Sequence, residues 1–222
     1  MLIELATFCI DSVPLAEKSG VQRLELCEQY ACGGVTPGME YFIKARALFS
    51  GEIFVMVRPR DGGYIYSDDE FKVMLDHVKA FHRAGADGFV GGFFSSPQEI
   101  HEVQLKEFIE ACDGRPVTFH RSFDALTDWK KGLDILMKSG CSRLLTSGDG
   151  IGAFEGRFRL AEMIAYAGEN LKILPGGGIR SSNVKELIEL CQPSEIHTAA
   201  LRKDGSELVD ETELEEIIRL IK

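Results

Sequence analysis

"IFVMVRPRDGGYIYSDDEFKVMLDHVKAFHRAGADGFVGGFF", residues 53–94, holds one complete structural unit. Ile53–Val57 is a short apolar run with the length and β-branched content of a buried strand. The segment from Ser67 has helical periodicity: Phe71, Met74, Leu75, Val78 and Phe81 fall on one face and leave His77 and His82 towards the polar side. Ser67 and Glu70 have capping-box spacing, and Gly85 supplies the stop. A second apolar run, "GFVGGFF", follows at Gly88. Strand, crossover helix and strand in this order form a unit of parallel sheet.

Outward from this unit the pattern repeats. Apolar runs recur as "LIELATF" near Ile3, "RLELC" at Arg23, "VTFH" at Val117, "RLLTS" at Arg143, "KILPG" at Lys172 and "EIHTAA" at Glu195. With the two above they make eight, starting roughly twenty to thirty-five residues apart. Helical segments lie between them. "TPGMEYFIKARALF" takes Thr36 as cap with Pro37 in the first turn, and "SVPLAEKSG" tolerates Pro14 only in its first turn. "DETELEEIIRLIK" is an amphipathic helix beginning near Asp210. Eight strand-helix units with no break in composition predict an α/β fold, a (β/α)8 TIM barrel occupying residues 1–222 as a single domain. An open doubly wound sheet is the alternative.

The net charge of −10 and pI of about 5.1 argue against nucleic acid and anionic membrane surfaces as partners. "MLIELATFCID" has neither the basic start of a signal peptide nor the length of a membrane span, which predicts a cytoplasmic protein. Cys9, Cys27, Cys32, Cys112, Cys141 and Cys191 lack finger or CxxC spacing and are expected to be free thiols.

In a barrel of this kind, function sits where strands end and loops begin. Those ends are polar here: Glu25 and Cys27 after strand 2, Arg58 and Arg60 after strand 3, His120, Arg121 and Asp124 after strand 5, Thr146 and Ser147 after strand 6, and Gly176, Gly177 and Gly178 after strand 7. Arginines converging on a barrel mouth favour a small anionic ligand, since guanidinium meets carboxylate or phosphate with paired donors. Strand alternation places Arg58 and Arg60 on one face. In this pocket His120 is the candidate general acid or base, with Glu25 or Asp124 as base or orienter. The competing expectation is an ion network in which Arg58, Arg60 and Arg121 pair with Glu4, Glu25 and Asp124. His197, inside strand 8, is expected to be a satisfied core histidine. "PGGGIRSSN" is either a phosphate-binding turn or an ordinary strand-to-helix turn. "GDGIGAFEG" lacks dinucleotide spacing and is expected to be a mobile loop over the mouth, so no nucleotide cofactor is expected.

"RLELCEQYACGGVTPG", "VMVRPRDGGYIYSDDE", "GADGFVGG", "PVTFHRSFD", "RLLTSG" and "LPGGGIRSSN", in this order, resemble the CutC family, named for copper homeostasis. The resemblance runs nearly end to end. It implies a TIM barrel, a cytoplasmic location, a homodimer or higher homo-oligomer, and an association with copper tolerance. Where the family has a valine-cysteine pair early in strand 1 and a serine after the strand 8 histidine, this chain has "IELATFCID" and "HTAAL". Copper would be the cofactor or cargo, and Cys27 and Cys32, near the end of strand 2, are the candidate ligands for Cu(I), which prefers thiolates. The bland alternative is that Cys27 is a small buried hydrophobe. Two functions follow as expectations: a copper-binding protein, or a lyase, isomerase or hydrolase acting on a small phosphorylated or carboxylated metabolite.

Overall fold

Strands and helices alternate along the whole chain, as the periodicity requires. The computed structural model describes residues 1–148 and 150–222. Eight strands, β1 (Leu2–Thr7), β2 (Arg23–Leu26), β3 (Glu52–Met56), β4 (Gly88–Gly91), β5 (Val117–Phe119), β6 (Arg143–Thr146), β7 (Lys172–Pro175) and β8 (Glu195–Thr198), pair in parallel. The order runs from β8 through β1 to β7, and Cα atoms of β7 and β8 approach within 8 Å, so the sheet curls into a nearly closed barrel. Among the described residues eight α-helices surround it: α1 (Val13–Ser19), α2 (Met39–Leu48), α3 (Asp68–Ala84), α4 (Glu102–Ala111), α5 (Trp129–Ser139), α6 (Arg157–Ala167), α7 (Val184–Cys191) and α8 (Glu211–Ile221). A two-stranded antiparallel ribbon, Phe94–Ser96 with Glu99–Ile100, joins β4 to α4. The expected (β/α)8 architecture is the observed one.

Local chemistry explains the helix ends. Ser67 and Glu70 form the reciprocal capping box of α3, and Gly85 ends it in the left-handed region at φ 96°. Asp210 caps α8 by accepting from the Glu213 N–H at 3.1 Å. Thr36 departs from expectation. α2 begins at Met39 with Gly38 as its N-cap. The Thr36 hydroxyl donates instead to the Arg58 carbonyl at 3.0 Å and accepts the Arg58 N–H at 2.8 Å, tying the loop after β2 to the end of β3. A hydroxyl that finds backbone partners across the sheet is not available to a helix three residues on.

Alternation along each strand divides the interior in two. Ile3, Leu5, Leu24, Leu26, Ile53, Val55, Phe89, Leu144 and Ile173 join the core between barrel and helices. Glu4, Ala6, Arg23, Glu25, Phe54, Met56, Val90, Thr118, Arg143, Glu195 and His197 occupy the intervening positions and fill the lumen.

Candidate active site

The lower lumen is ionic. Arg23 is fully buried, donates to both Glu4 and Glu195, and lies 3.6 Å from Glu52. Glu195 also accepts from Arg143 Nε at 3.1 Å and from Lys172 Nζ at 3.2 Å. The Arg23 and Arg143 guanidiniums each stand 4.9 Å from the Phe54 ring centre. Gly88 makes room for that ring, since a Cβ there would come within 2.6 Å of it.

One layer nearer the mouth, Glu4, Glu25 and His197 bring donor atoms within 4.8 Å of one another, all three buried. His197 Nδ1 is 2.7 Å from Glu4 Oε1, and its Nε2 is 3.8 Å from Glu25 Oε2. The register explains the meeting: Glu4 is opposite His197 on β8, and Glu25 pairs with Ala6 two positions further along β1. The environments drive the two carboxyls apart. Burial pushes Glu25 up to about 7, aided by the Glu4 charge and opposed by His197. Burial also acts on Glu4, but the His197 hydrogen bond and the Arg23 charge outweigh it and hold Glu4 at about 2. Burial disfavours charged His197, and its two carboxylate neighbours more than offset this and raise its pKa.

Above this layer opens a cavity of about 220 Å³ walled by Glu25, Met56, Arg58, Tyr64, His120, Arg121, Ser122, Gly177, His197 and Thr198, among others. Arg121 Nε donates to Asp124 at 3.0 Å, and Asp124 accepts from the Ser147 N–H at 3.2 Å and hydroxyl at 2.8 Å and from the Thr146 hydroxyl. Asp124 is therefore an anchor that aims the guanidinium. Gly177, at φ 105°, lets it lie against the backbone, because a Cβ there would come within 2.8 Å of Arg121 Cζ. Arg58 gives its terminal nitrogens to the carbonyls of Cys32, Gly34 and Gly62 at 2.7–2.9 Å and stacks on Tyr64 at 4.9 Å. His120 is buried, packs on Tyr64 with ring centres 4.9 Å apart, and accepts the Ser122 N–H at Nδ1 at 3.2 Å. Burial and then the Arg58 charge lower its pKa to about 3, so the ring is neutral at physiological pH.

Residues 1–202 match the CutC family. The chain belongs to the CutC family. It is 37% identical to a CutC protein of Treponema denticola over 90% of this chain and 82% of that one. It is 34% identical to the human copper homeostasis protein cutC homolog, over 90% of this chain and 73% of the human one. The crystal structure of CutC from Streptococcus agalactiae superposes with a TM-score of 0.85 at 26% identity, covering 90% of this chain and 98% of that one. A thiamine phosphate pyrophosphorylase from Pyrococcus furiosus, at TM-score 0.66 and 14% identity, shares the fold over 99% of this chain and 95% of its own. The CutC assignment agrees with the resemblance carried by the motifs.

The structure brings Glu25, Arg58, His120, Arg121, Gly177 and Gly178 to one cavity wall. Asp124 and Ser147 stand behind it as the anchor of Arg121. Gly176 lies beneath His197, where a Cβ would be 3.1 Å from the His197 Cβ. Arg60 is elsewhere: it pairs with Glu70 and donates to the Gly63 and Ile65 carbonyls at the start of α3. Cys27 is buried with its thiol 3.6 Å from Glu25 Oε2, whereas the Cys32 thiol turns to the Gln29 carbonyl at 3.2 Å. Among the described residues, the one cluster of three or more possible metal ligands contains no cysteine. In the loop at 148–156, Asp149 lies outside the described residues, and the Ala153 N–H donates to the Gly177 carbonyl at 2.8 Å.

Sequence reading took His197 for a satisfied core histidine and Glu4 for a partner in an ion network, and did not single out Tyr64, Ser122 or the pair Arg23 and Arg143. A signal existed. Glu4, Arg23, Glu25, Arg143, Glu195 and His197 are charged or ionisable residues set inside apolar strand runs, where only a lumen that pairs them tolerates such groups.

Proposed function

We propose that the chain is an enzyme, a lyase, isomerase or hydrolase that moves a proton on a small phosphorylated or carboxylated metabolite held at the barrel mouth. One observation carries this reading: two buried carboxyls, Glu4 and Glu25, share one histidine and are driven to about 2 and about 7. A pair of like groups whose environments separate their pKa values in this way suits one fixed charge and one group that exchanges protons near neutrality. Glu4 holds and polarises His197, and Glu25, facing the cavity, gives and takes the proton. Arg121, with Nη1 and Nη2 beyond its anchor to Asp124, binds the anion beside the backbone of Gly177 and Gly178. The test is thermal denaturation with and without inorganic phosphate. The parent protein is expected to gain stability with phosphate, and Arg121→Gln to gain little. A shift of equal size in both proteins would remove Arg121 from the site and overturn the reading.

A second reading, copper binding, is favoured by the names of the relatives and by the Glu4, Glu25 and His197 cluster. Glu25 Oε1 is buried without a partner among the described residues, and 3.8 Å between Glu25 Oε2 and His197 Nε2 is a span that one ion about 2 Å from each donor bridges. Carboxylate with imidazole suits Cu(II) or a similar divalent ion, and Glu4 would orient His197 from the far side. Cys27 and Cys32 would instead suit Cu(I), with Cys27 exchanging its proton for the metal. Competition titrations with each oxidation state separate these. Loss of Cu(II) binding in His197→Gln supports the carboxylate site, and loss of Cu(I) binding in Cys27→Ser supports the thiol site. Six free cysteines and the acidic surface also favour the cytoplasm as the working compartment.

A further inference from the structure

His120 differs from the other polar groups of the site in the state its surroundings impose. Its Nδ1 accepts the Ser122 N–H, so in the neutral ring the proton resides on Nε2. Nε2 is buried and without a protein partner among the described residues, although the imidazole forms part of the cavity wall. The ring is fixed from several sides: Tyr64 packs on it, and Gly92 sits so close that a Cβ there would come within 2.7 Å of Nδ1. Arg58, immobilised by three carbonyls, supplies the positive charge that opposes protonation. A buried N–H held in one orientation without an acceptor is costly, and a ligand oxygen removes that cost. Glu25 lines the same cavity and comes from β2, three strands away around the barrel, so the two groups address the cavity from different sides.

We propose that His120 is the electrophile of this site. Its Nε2–H hydrogen-bonds the carbonyl oxygen of a small phosphorylated or carboxylated aldehyde or ketone while the Glu25 carboxylate removes a proton from the adjacent carbon. The inference rests on the enzyme reading above and specifies its substrate class. The C–H bond breaks and its proton goes to Glu25. Its electron pair becomes the C=C bond of an enediolate or enolate, and the carbonyl π pair moves onto the oxygen held by His120. Glu25 then returns the proton to the carbon it came from, or, where that carbon bears a hydroxyl, to the former carbonyl carbon while the hydroxyl proton passes to the oxygen held by His120 and the hydroxyl oxygen becomes the new carbonyl, so no oxidant or reductant is required. A neutral imidazole suits this task because it is a very weak acid, so its Nε2–H stabilises the developing oxyanion by a hydrogen bond without handing its proton over outright.

The experiment uses three probes on the whole chain: inorganic phosphate, glycerol 3-phosphate, and phosphoglycolohydroxamate, which carries the same anion on a planar enediolate-like head. Titration calorimetry is expected to show the hydroxamate binding more than about tenfold tighter than glycerol 3-phosphate, the direction a mimic of the reaction's intermediate takes. That gap is expected to close in His120→Ala. In case that variant fails to fold, nitrogen NMR of the parent protein reads the ring directly. The expected tautomer carries its proton on Nε2, and that proton shifts downfield when the hydroxamate binds. A proton on Nδ1, or equal affinity for hydroxamate and glycerol 3-phosphate, overturns the inference while the anion pocket stands. Absence of binding by all three probes overturns both.

Discussion

His197 Nδ1 lies 2.7 Å from Glu4 Oε1, on the neighbouring strand at the opposed register position. This contact assigns the charges of the lumen. Glu4 stays ionised, His197 favours its charged form, and Glu25, on the other side of the ring, is left with burial as its main influence.

The first prediction concerns pH. Glu25 has an ordinary value of 4.5 and is raised to about 7 in the fold, so between these limits the folded state binds more protons than the unfolded one. Its contribution to stability is therefore fully present below pH 4.5 and is lost as pH rises through about 7. Glu4 acts oppositely: held at about 2, it contributes above its ordinary 4.5 and loses that contribution as pH falls. Denaturant unfolding across this range is expected to show a smaller decline from acid towards neutral pH in Glu25→Gln than in the parent. Parallel pH profiles for the two proteins would contradict the raised pKa.

Removing the carboxylate charge at Glu4 has a larger effect on stability. Arg23 is fully buried and depends on Glu4 and Glu195 for its charge balance. Glu4→Gln keeps the volume and removes the charge, which leaves one buried guanidinium under-compensated and costs about 3–5 kcal/mol. Chemical denaturation measures it. A loss under about 1 kcal/mol would mean that Glu195 and Glu52 together balance Arg23 without Glu4.

Gly92 tests the placement of His120. A methyl group there meets the Ser122 hydroxyl at 2.5 Å and the His120 ring closer still, and Gly92 is not among the residues with positive φ, so the effect is steric. Gly92→Ala is expected to cost about 1–3 kcal/mol through displaced packing. It should also shift the His120 ring resonances. An unshifted His120 spectrum would show that the loop after β4 absorbs the methyl group without moving the imidazole.

The barrel was legible because each strand announces itself as a short apolar run and each helix by its cap and stripe. The face that lines the lumen was not. Arg58 and Arg60 obey strand alternation on paper, yet β3 ends at Met56 and the chain turns, so Arg58 enters the cavity wall while Arg60 pairs with Glu70 at the start of α3. Alternation carries no information past the last paired residue. His197 looked like a satisfied core histidine, and it is satisfied, but by Glu4, whose partnership depends on β8 closing against β1 across almost the full chain length. Thr36 looked like a cap for the same reason: its true partner, the backbone of Arg58, is adjacent only after folding.

The cysteines give the last prediction. Cys9 and Cys32 are partly exposed, and Cys27, Cys112, Cys141 and Cys191 are buried. With a thiol reagent such as Ellman's, two fast and four slow reactions are expected in the native protein. Cys27 should be among the slow ones, because burial and then the Glu25 charge raise its pKa well above the ordinary thiol value and thiolate is the reactive form. In Glu25→Gln the charge is gone and the burial remains, so Cys27 should react faster than in the parent yet still slower than Cys32. Site-resolved labelling by mass spectrometry decides this. Cys27 labelling as fast as Cys32 in the parent would mean that the thiol reaches solvent and that Glu25 does not restrain it, which would favour the two cysteines as a metal pair over the carboxylate and imidazole cluster.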